Sequence, residues 1–138
     1  MLTSELLGRS VALPDMPRPL DLRGIGLSDS TTYADPLSRK FDYTNTHFDS
    51  KPTLDISNVS SEHDARYDFM IASDVFEHVA PPVARAFSNA RRMLKPGGVL
   101  IFSVPFMLTP DTIEHFPELH DFRLIEAAEG WRLENRTA

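Results

Sequence analysis

The chain has 138 residues, 41% of them hydrophobic and 25% charged, with a formal net charge of −6 and no cysteine. That length suits one domain with a real core, and that composition excludes wholesale disorder. The acidic balance argues against nucleic acid as a partner, since phosphate-backbone binding rests on arrays of Lys and Arg, and the missing thiols exclude disulfides and cysteine chemistry. A cytoplasmic protein is expected: no membrane partner is implied, because no stretch approaches spanning length and the N-terminus lacks a charged start followed by an apolar run.

Residues 1–19 read as a lead-in, with a short helix over Thr3–Leu7 closed at Gly8 and an extended, Pro-rich Leu13–Pro19. Leu20–Leu27 alternates apolar residues and predicts a first strand running into a turn that contains Gly24 and Gly26. Ser28–Thr31 offers caps for a short helix reaching about Arg39, with Pro36 limiting its regularity. Phe41–Phe48 predicts a second strand and Pro52–Ser57 a short third one, followed by a polar, turn-like 58–66.

Tyr67–Ala72 is an apolar run long enough for a strand and too short for a helix. Pro81-Pro82 opens a predicted helix in which Val83, Phe87, Ala90 and Leu94 share a face, while Arg91, Arg92 and Lys95 complement the dipole of its last turn. Pro96-Gly97-Gly98 stops it, and Val99–Val104 predicts a fifth, β-branched strand. Two apolar strands joined by one amphipathic helix make a βαβ unit, whose strands are parallel and buried on both faces. After a long loop over Leu108–Asp121, Phe122–Ile125 and Trp131–Glu134 predict a hairpin. A fifth strand left at the border of the sheet exposes unpaired backbone groups. Either the hairpin pairs with it or a homodimer forms through that edge.

In an open α/β sheet the ligand site lies in the loops at the carboxyl ends of the strands. The loop after the fourth predicted strand, Ser73-Asp74-Val75-Phe76-Glu77-His78-Val79, carries two carboxylates and an imidazole. Helix capping by Ser73 or Asp74 is an alternative explanation of part of it. Asp74, Glu77 and His78 also suggest a divalent metal, but three donors within five residues are not specific and no metal is assigned.

The stretch Tyr67–Phe106 resembles the second half of class I S-adenosylmethionine-dependent methyltransferases, which commonly read YDxIxxSDVxEHV and then RxLKPGGxLxxxxP. Tyr67, Asp68, Ser73, Asp74, Val75, Glu77, His78, Arg92, Leu94, Lys95, Pro96, Gly97, Gly98 and Pro105 occupy the fixed positions. The resemblance implies an α/β, Rossmann-like, open and mostly parallel sheet lacking the usual full C-terminal strands. The single domain 1–138 then divides into a lead-in (1–19), a core (20–106) and a loop with tail hairpin (107–138).

It also implies methyl transfer from S-adenosylmethionine to a small-molecule or biosynthetic acceptor. Gly24 and Gly26 would let the cofactor approach the backbone, although a plain strand-to-helix turn explains two glycines equally well. The family pattern ExGxGxG is incomplete here, with Asp21 the nearest acid. Asp29 stands where a dinucleotide binder wants a third glycine, and its charge disfavours NAD. Asn45 is the nearest substitute for the acid that usually grips the ribose. Asp55 and Ile56 resemble the adenine-contacting pair, against a turn closed by Asp55 with Ser57 and Asn58.

Ser73, Asp74 and Val75 resemble the loop that runs beside the cofactor. His78 is the first candidate for a base, with His115 or His120 in the later loop as substitutes. The degenerate glycine turn and the short tail motivate an alternative: an incomplete relative that binds cofactor or a partner without catalysis.

Overall fold

The computed structural model describes residues 4–5, 8–16, 21–108, 116, 118–119, 121–128 and 130–137. They belong to two units, Met1–Pro105 and Phe106–Ala138. In the first, the elements follow as β1 (Arg23–Leu27), α1 (Thr31–Ser38), β2 (Asp42–Thr46), β3 (Tyr67–Ser73), α2 (Ala84–Met93) and β4 (Leu94–Ser103). The four strands form one parallel sheet in the order β2-β1-β3-β4. The chain moves outward from β1 to β2 and then resumes on the other side of β1, so the order reverses between β1 and β3. That reversal opens a crevice beyond the carboxyl ends of the two strands, the place where such sheets take ligands.

Alternation along the strands builds two apolar layers. Ile25, Leu27, Met70 and Ala72 face α2, where they meet Ala86, Ala90 and Met93. Phe69 and Ile71 face α1 with Phe41, Tyr43, Ala34 and Leu37. Phe69 and Met70 are completely buried on opposite sides of β3, as expected of an inner parallel strand. The lead-in is pinned by Lys40, which is 8% exposed and donates through Nζ to the carbonyls of Pro14 (3.0 Å) and Met16 (2.6 Å). Of the helix expected over Thr3–Leu7, Ser4 and Glu5 are helical and the remainder lies outside the described residues.

Ser30 caps α1 through its side chain, as its position predicts. Three expectations are corrected. The third strand, Pro52–Ser57, shrinks to a single bridge between His47 and Thr53, because Leu54 and Ile56 turn into the core and Asp55 closes a tight turn onto Ser57. The helix of the βαβ unit starts at Ala84, after the prolines, with the Pro82 carbonyl accepting from the amide of Arg85 at 3.0 Å. It ends at Met93, not at Lys95, and β4 begins at once. Tyr67 pairs with Leu94 and Phe69 with Val99, so Lys95–Gly98 loops out of the ladder. Gly97 there has φ +79°, a conformation suited to glycine. The Pro-Gly-Gly signal therefore shapes a bulge in β4 and not a helix end.

In the second unit, β5 (Phe122–Ala127) and β6 (Gly130–Asn135) form the expected antiparallel hairpin, in register from Phe122↔Asn135 to Ala127↔Gly130. Arg123 and Glu134 form a cross-strand ion pair at 2.6 Å. The hairpin is a two-stranded sheet of its own.

Candidate functional site

Two turns face the crevice, one after β1 and one after β3. The first is built around a buried acid. Asp29 is 4% exposed; Tyr43 Oη donates to its Oδ2 and Tyr33 Oη to its Oδ1 at 3.0 Å. The amide of Asn45 clamps the Asp29 backbone from both directions, accepting from its N–H at 2.9 Å and donating to its carbonyl at 2.8 Å. Burial pushes the Asp29 carboxyl above its usual value, opposed by the hydroxyls of Tyr43 and Tyr33 and by the Ser73 amide. Burial and the same carboxylate drive the Tyr43 phenol strongly upward, so it stays a proton donor.

This network explains the glycines. A Cβ on Gly26 would strike the Tyr43 hydroxyl and the Asp29 carboxylate, and one on Gly24 would strike the ring of Phe69. Both absences serve close packing within the protein, and the space at Gly26 is filled from inside. Asn45, the expected stand-in for a ribose acid, has its side-chain amide committed to Asp29. Tyr33 and Tyr43 were missed in the sequence. The available signal was a glycine inside a strand, which marks close approach by a neighbour.

The second turn is more open. Asp74 is exposed, with φ +54°; its amide donates to the Ser103 carbonyl at 3.0 Å and its Oδ1 accepts from Ser103 Oγ at 3.1 Å. These bonds tie the loop to the end of β4. Ser73 and Val75 are half-buried on either side. Phe76–His78 then forms a 3-10 turn that drives Phe76 into the core against Phe87, ring centres 4.3 Å apart. The same turn carries Glu77 inward and His78 outward. The Glu77 side chain is 15% exposed and that of His78 60%, with His78 Nε2 4.0 Å from Glu77 Oε1. The other oxygen, Glu77 Oε2, is buried and has no hydrogen-bond partner among the described residues. A buried carboxylate oxygen without a donor is costly.

Asp55 follows its turn-closing alternative. Its Oδ1 accepts from the N–H (2.8 Å) and the Oγ (2.7 Å) of Ser57, and Ile56 is buried in the α2 layer. His115 and His120 lie outside the described residues. Asp74, Glu77 and His78 do not assemble into a metal-holding group among the described residues.

Charge separates the two ends of the sheet. At the amino ends Arg23 pairs with Asp42 (2.7 Å), Lys95 with Asp68 (2.8 Å) and Arg92 with Asp64 (2.8 Å). At the carboxyl ends Asp29, Asp74 and Glu77 form no ion pair with Lys or Arg among the described residues.

A family model described as a methyltransferase domain matches residues 16–137. A curated relative, the hybrid PKS-NRPS synthetase xenE of Xenoacremonium sinensis, is 37% identical over 91 residues. The match takes in 59% of this chain and 2% of that protein. No solved structure matches. No helix among the described residues is long and apolar enough to cross a membrane.

Proposed function

Because the chain belongs to the methyltransferase domain family, we propose that it takes its methyl group from S-adenosylmethionine and passes it to a small-molecule acceptor. The observation that carries this reading is the acid at the carboxyl ends of the strands that no Lys or Arg among the described residues pairs, above all Glu77 Oε2, buried and without a hydrogen-bond partner among those residues. S-adenosylmethionine carries a cationic sulfonium and an ammonium, and a desolvated carboxylate is their natural complement. The cofactor supplies an activated methyl on a positive sulfur; the rest of the chemistry is orientation and, where the acceptor needs it, removal of a proton.

The residues fit the group on one side of the crevice. Asp74 and Glu77 offer negative charge, and Ser73 and Val75 form the wall beside them. The glycine side contributes differently from the family pattern, since the Tyr43–Asp29 pair already fills the niche at Gly26. Gly24, Asp55 and Ile56 are spent on packing and turn closure. His78 stands at the mouth with the Glu77 carboxylate behind it. In this reading it accepts the acceptor's proton while Glu77 steadies the resulting imidazolium. The filled niche and the committed Asn45 also favour the second reading, a relative that has kept the fold and lost the reaction.

Calorimetric titration with S-adenosylmethionine and its demethylated product, with NAD as control, separates the two. Binding of either sulfur nucleotide, silence with NAD and release of the demethylated product on turnover support methyl transfer; binding without turnover, or silence with all three, supports the incomplete relative. Where binding is seen, His78→Ala spares it and lowers turnover. A His78→Ala variant of full activity would remove His78 from the mechanism.

A further inference from the structure

The chemistry proposed for the crevice gives Asp29 no task, although the ends of three strands converge on it. It follows β1, its backbone is gripped in both directions by Asn45 of β2, and its carboxyl faces the Ser73 amide at the end of β3. Tyr43 of β2 and Tyr33 of α1 complete the shell with their hydroxyls. The Ser73 side chain meets Tyr33 as well, so both of its polar groups are drawn to this cluster. Ser73 opens the turn that carries Asp74, Glu77 and His78. Asp29 therefore ties that turn to the one after β1, across the point where the strand order reverses.

Tyr43, Tyr33 and the Ser73 amide all come to the carboxyl as donors, and no Lys or Arg among the described residues pairs with it. An ionised carboxylate only accepts, so it takes all of these donors at once. A neutral acid must itself donate, and one tyrosine hydroxyl then has to reverse or let go. The donors thus favour the ionised form and burial opposes it, with burial the stronger. The titratable groups against Asp29 are the two phenols. Burial raises both, so they keep their protons while Asp29 changes state. What the ionised form lacks is a countercharge. A cation arriving in the crevice supplies one, and with Asp29 buried the attraction acts through low-dielectric protein and not by contact.

We propose that Asp29 is a positioning residue for a cationic ligand: ionised, it holds the Ser73 turn against the turn after β1 and sets a negative charge behind the crevice, so the cation binds as Asp29 gives its proton to solvent. The inference rests on S-adenosylmethionine as the ligand and adds that its binding is linked to proton release. Asp29 itself stays clear of the reacting atoms. The sign follows from linkage. A ligand that favours the ionised form binds more tightly as pH rises through the raised carboxyl, and acid weakens it.

Two measurements on the whole chain test this. In the free protein, isotope-edited NMR follows the Asp29 carboxyl and the Ser73 amide through a pH titration. Both should move with one midpoint, above that of the exposed aspartates, and the Ser73 amide of Asp29→Asn should lose that step. Calorimetry with S-adenosylmethionine in buffers of different ionisation heat then counts protons. Wild type should release protons on binding, and bind about tenfold more tightly at neutrality than in mild acid. Asp29→Asn, of nearly the same shape, should bind about tenfold more weakly at neutrality and lose that release. Tyr33→Phe keeps Asp29 and removes one donor from its ionised form, so the release should move to higher pH. It carries the test if Asn is not tolerated at position 29. Release unchanged in Asp29→Asn, or unmoved by Tyr33→Phe, overturns the proposal and leaves the cofactor reading standing. So does a Ser73 amide that ignores the Asp29 titration. No binding at any pH by the folded protein overturns the cofactor reading and this inference with it.

Discussion

The two ends of the sheet hold their carboxylates in opposite ways. At the amino ends three acids have cations: Asp42 has Arg23, Asp68 has Lys95 and Asp64 has Arg92. At the carboxyl ends Asp29 is held by tyrosine hydroxyls, Asp74 by a serine, and Glu77 keeps one buried oxygen with no hydrogen-bond partner among the described residues. Paired surface ions add little to stability, and unpaired buried ones subtract from it. The amino ends are therefore assembled for the fold. The carboxyl ends hold a cost that a cationic ligand would relieve.

The largest effects should come from the layer that supports both ends. Phe69→Ala empties a fully buried site between Phe41 and Tyr43 and is expected to cost about 3–5 kcal/mol in urea unfolding. Gly24→Ala pushes a methyl into the same ring and should cost about 1–3 kcal/mol. Because the added methyl enters space that Phe69→Ala vacates, the double variant should be less destabilised than the two single changes together. Strict additivity would show that Gly24 is not there for Phe69.

Next come the opposite pH slopes of the two ends. Burial alone would raise the Asp68 carboxyl, but Lys95 Nζ and the Arg23 N–H hold it below the usual carboxylate range. Its stabilisation is present above the unfolded value near pH ~4 and is lost as pH falls through the lowered folded value. Wild type should thus exceed Asp68→Asn by about 1 kcal/mol at neutral pH, with the gap closing in acid. Asp29 is raised, so its contribution is greatest below the unfolded value and declines as pH rises through the folded one. Stability of wild type relative to Asp29→Asn should fall with rising pH over that range, opposite in sign to Asp68→Asn. Parallel slopes in chemical denaturation at stepped pH would contradict the contrast between the ends.

These predictions mark what the sequence made legible. The run Tyr67–Val104 announced its strands because Phe69, Met70 and Ile71 are buried on both faces, which demands a continuous apolar stretch. The hairpin was equally plain from two short runs around a turn. Pro52–Ser57 misled because Leu54 and Ile56 alternate as a strand would, while Asp55 and Ser57 prefer their own side-chain turn. At the site, the Ser73–His78 turn was visible from charge placed where a plain loop needs none. The role of Gly24 and Gly26 was not, since a glycine shows only that something comes close. Phe69, Tyr43 and Asp29 do so here, and the first two arrive on neighbouring strands through pairings no local pattern encodes.

The smallest structural change carries the most functional weight. Glu77→Gln keeps the shape of the turn and removes the unsatisfied charge, so stability should hold or rise slightly. Its affinity for S-adenosylmethionine should drop about tenfold, the loss of one charge-assisted contact. The most direct measurement is calorimetric titration of S-adenosylmethionine into wild type and into an Asp74→Asn, Glu77→Gln double variant of matched thermal stability. The account predicts saturable heat with the wild type and loss of most of it in the double variant. Equal binding by the two proteins, or no heat from a folded wild type, would contradict it.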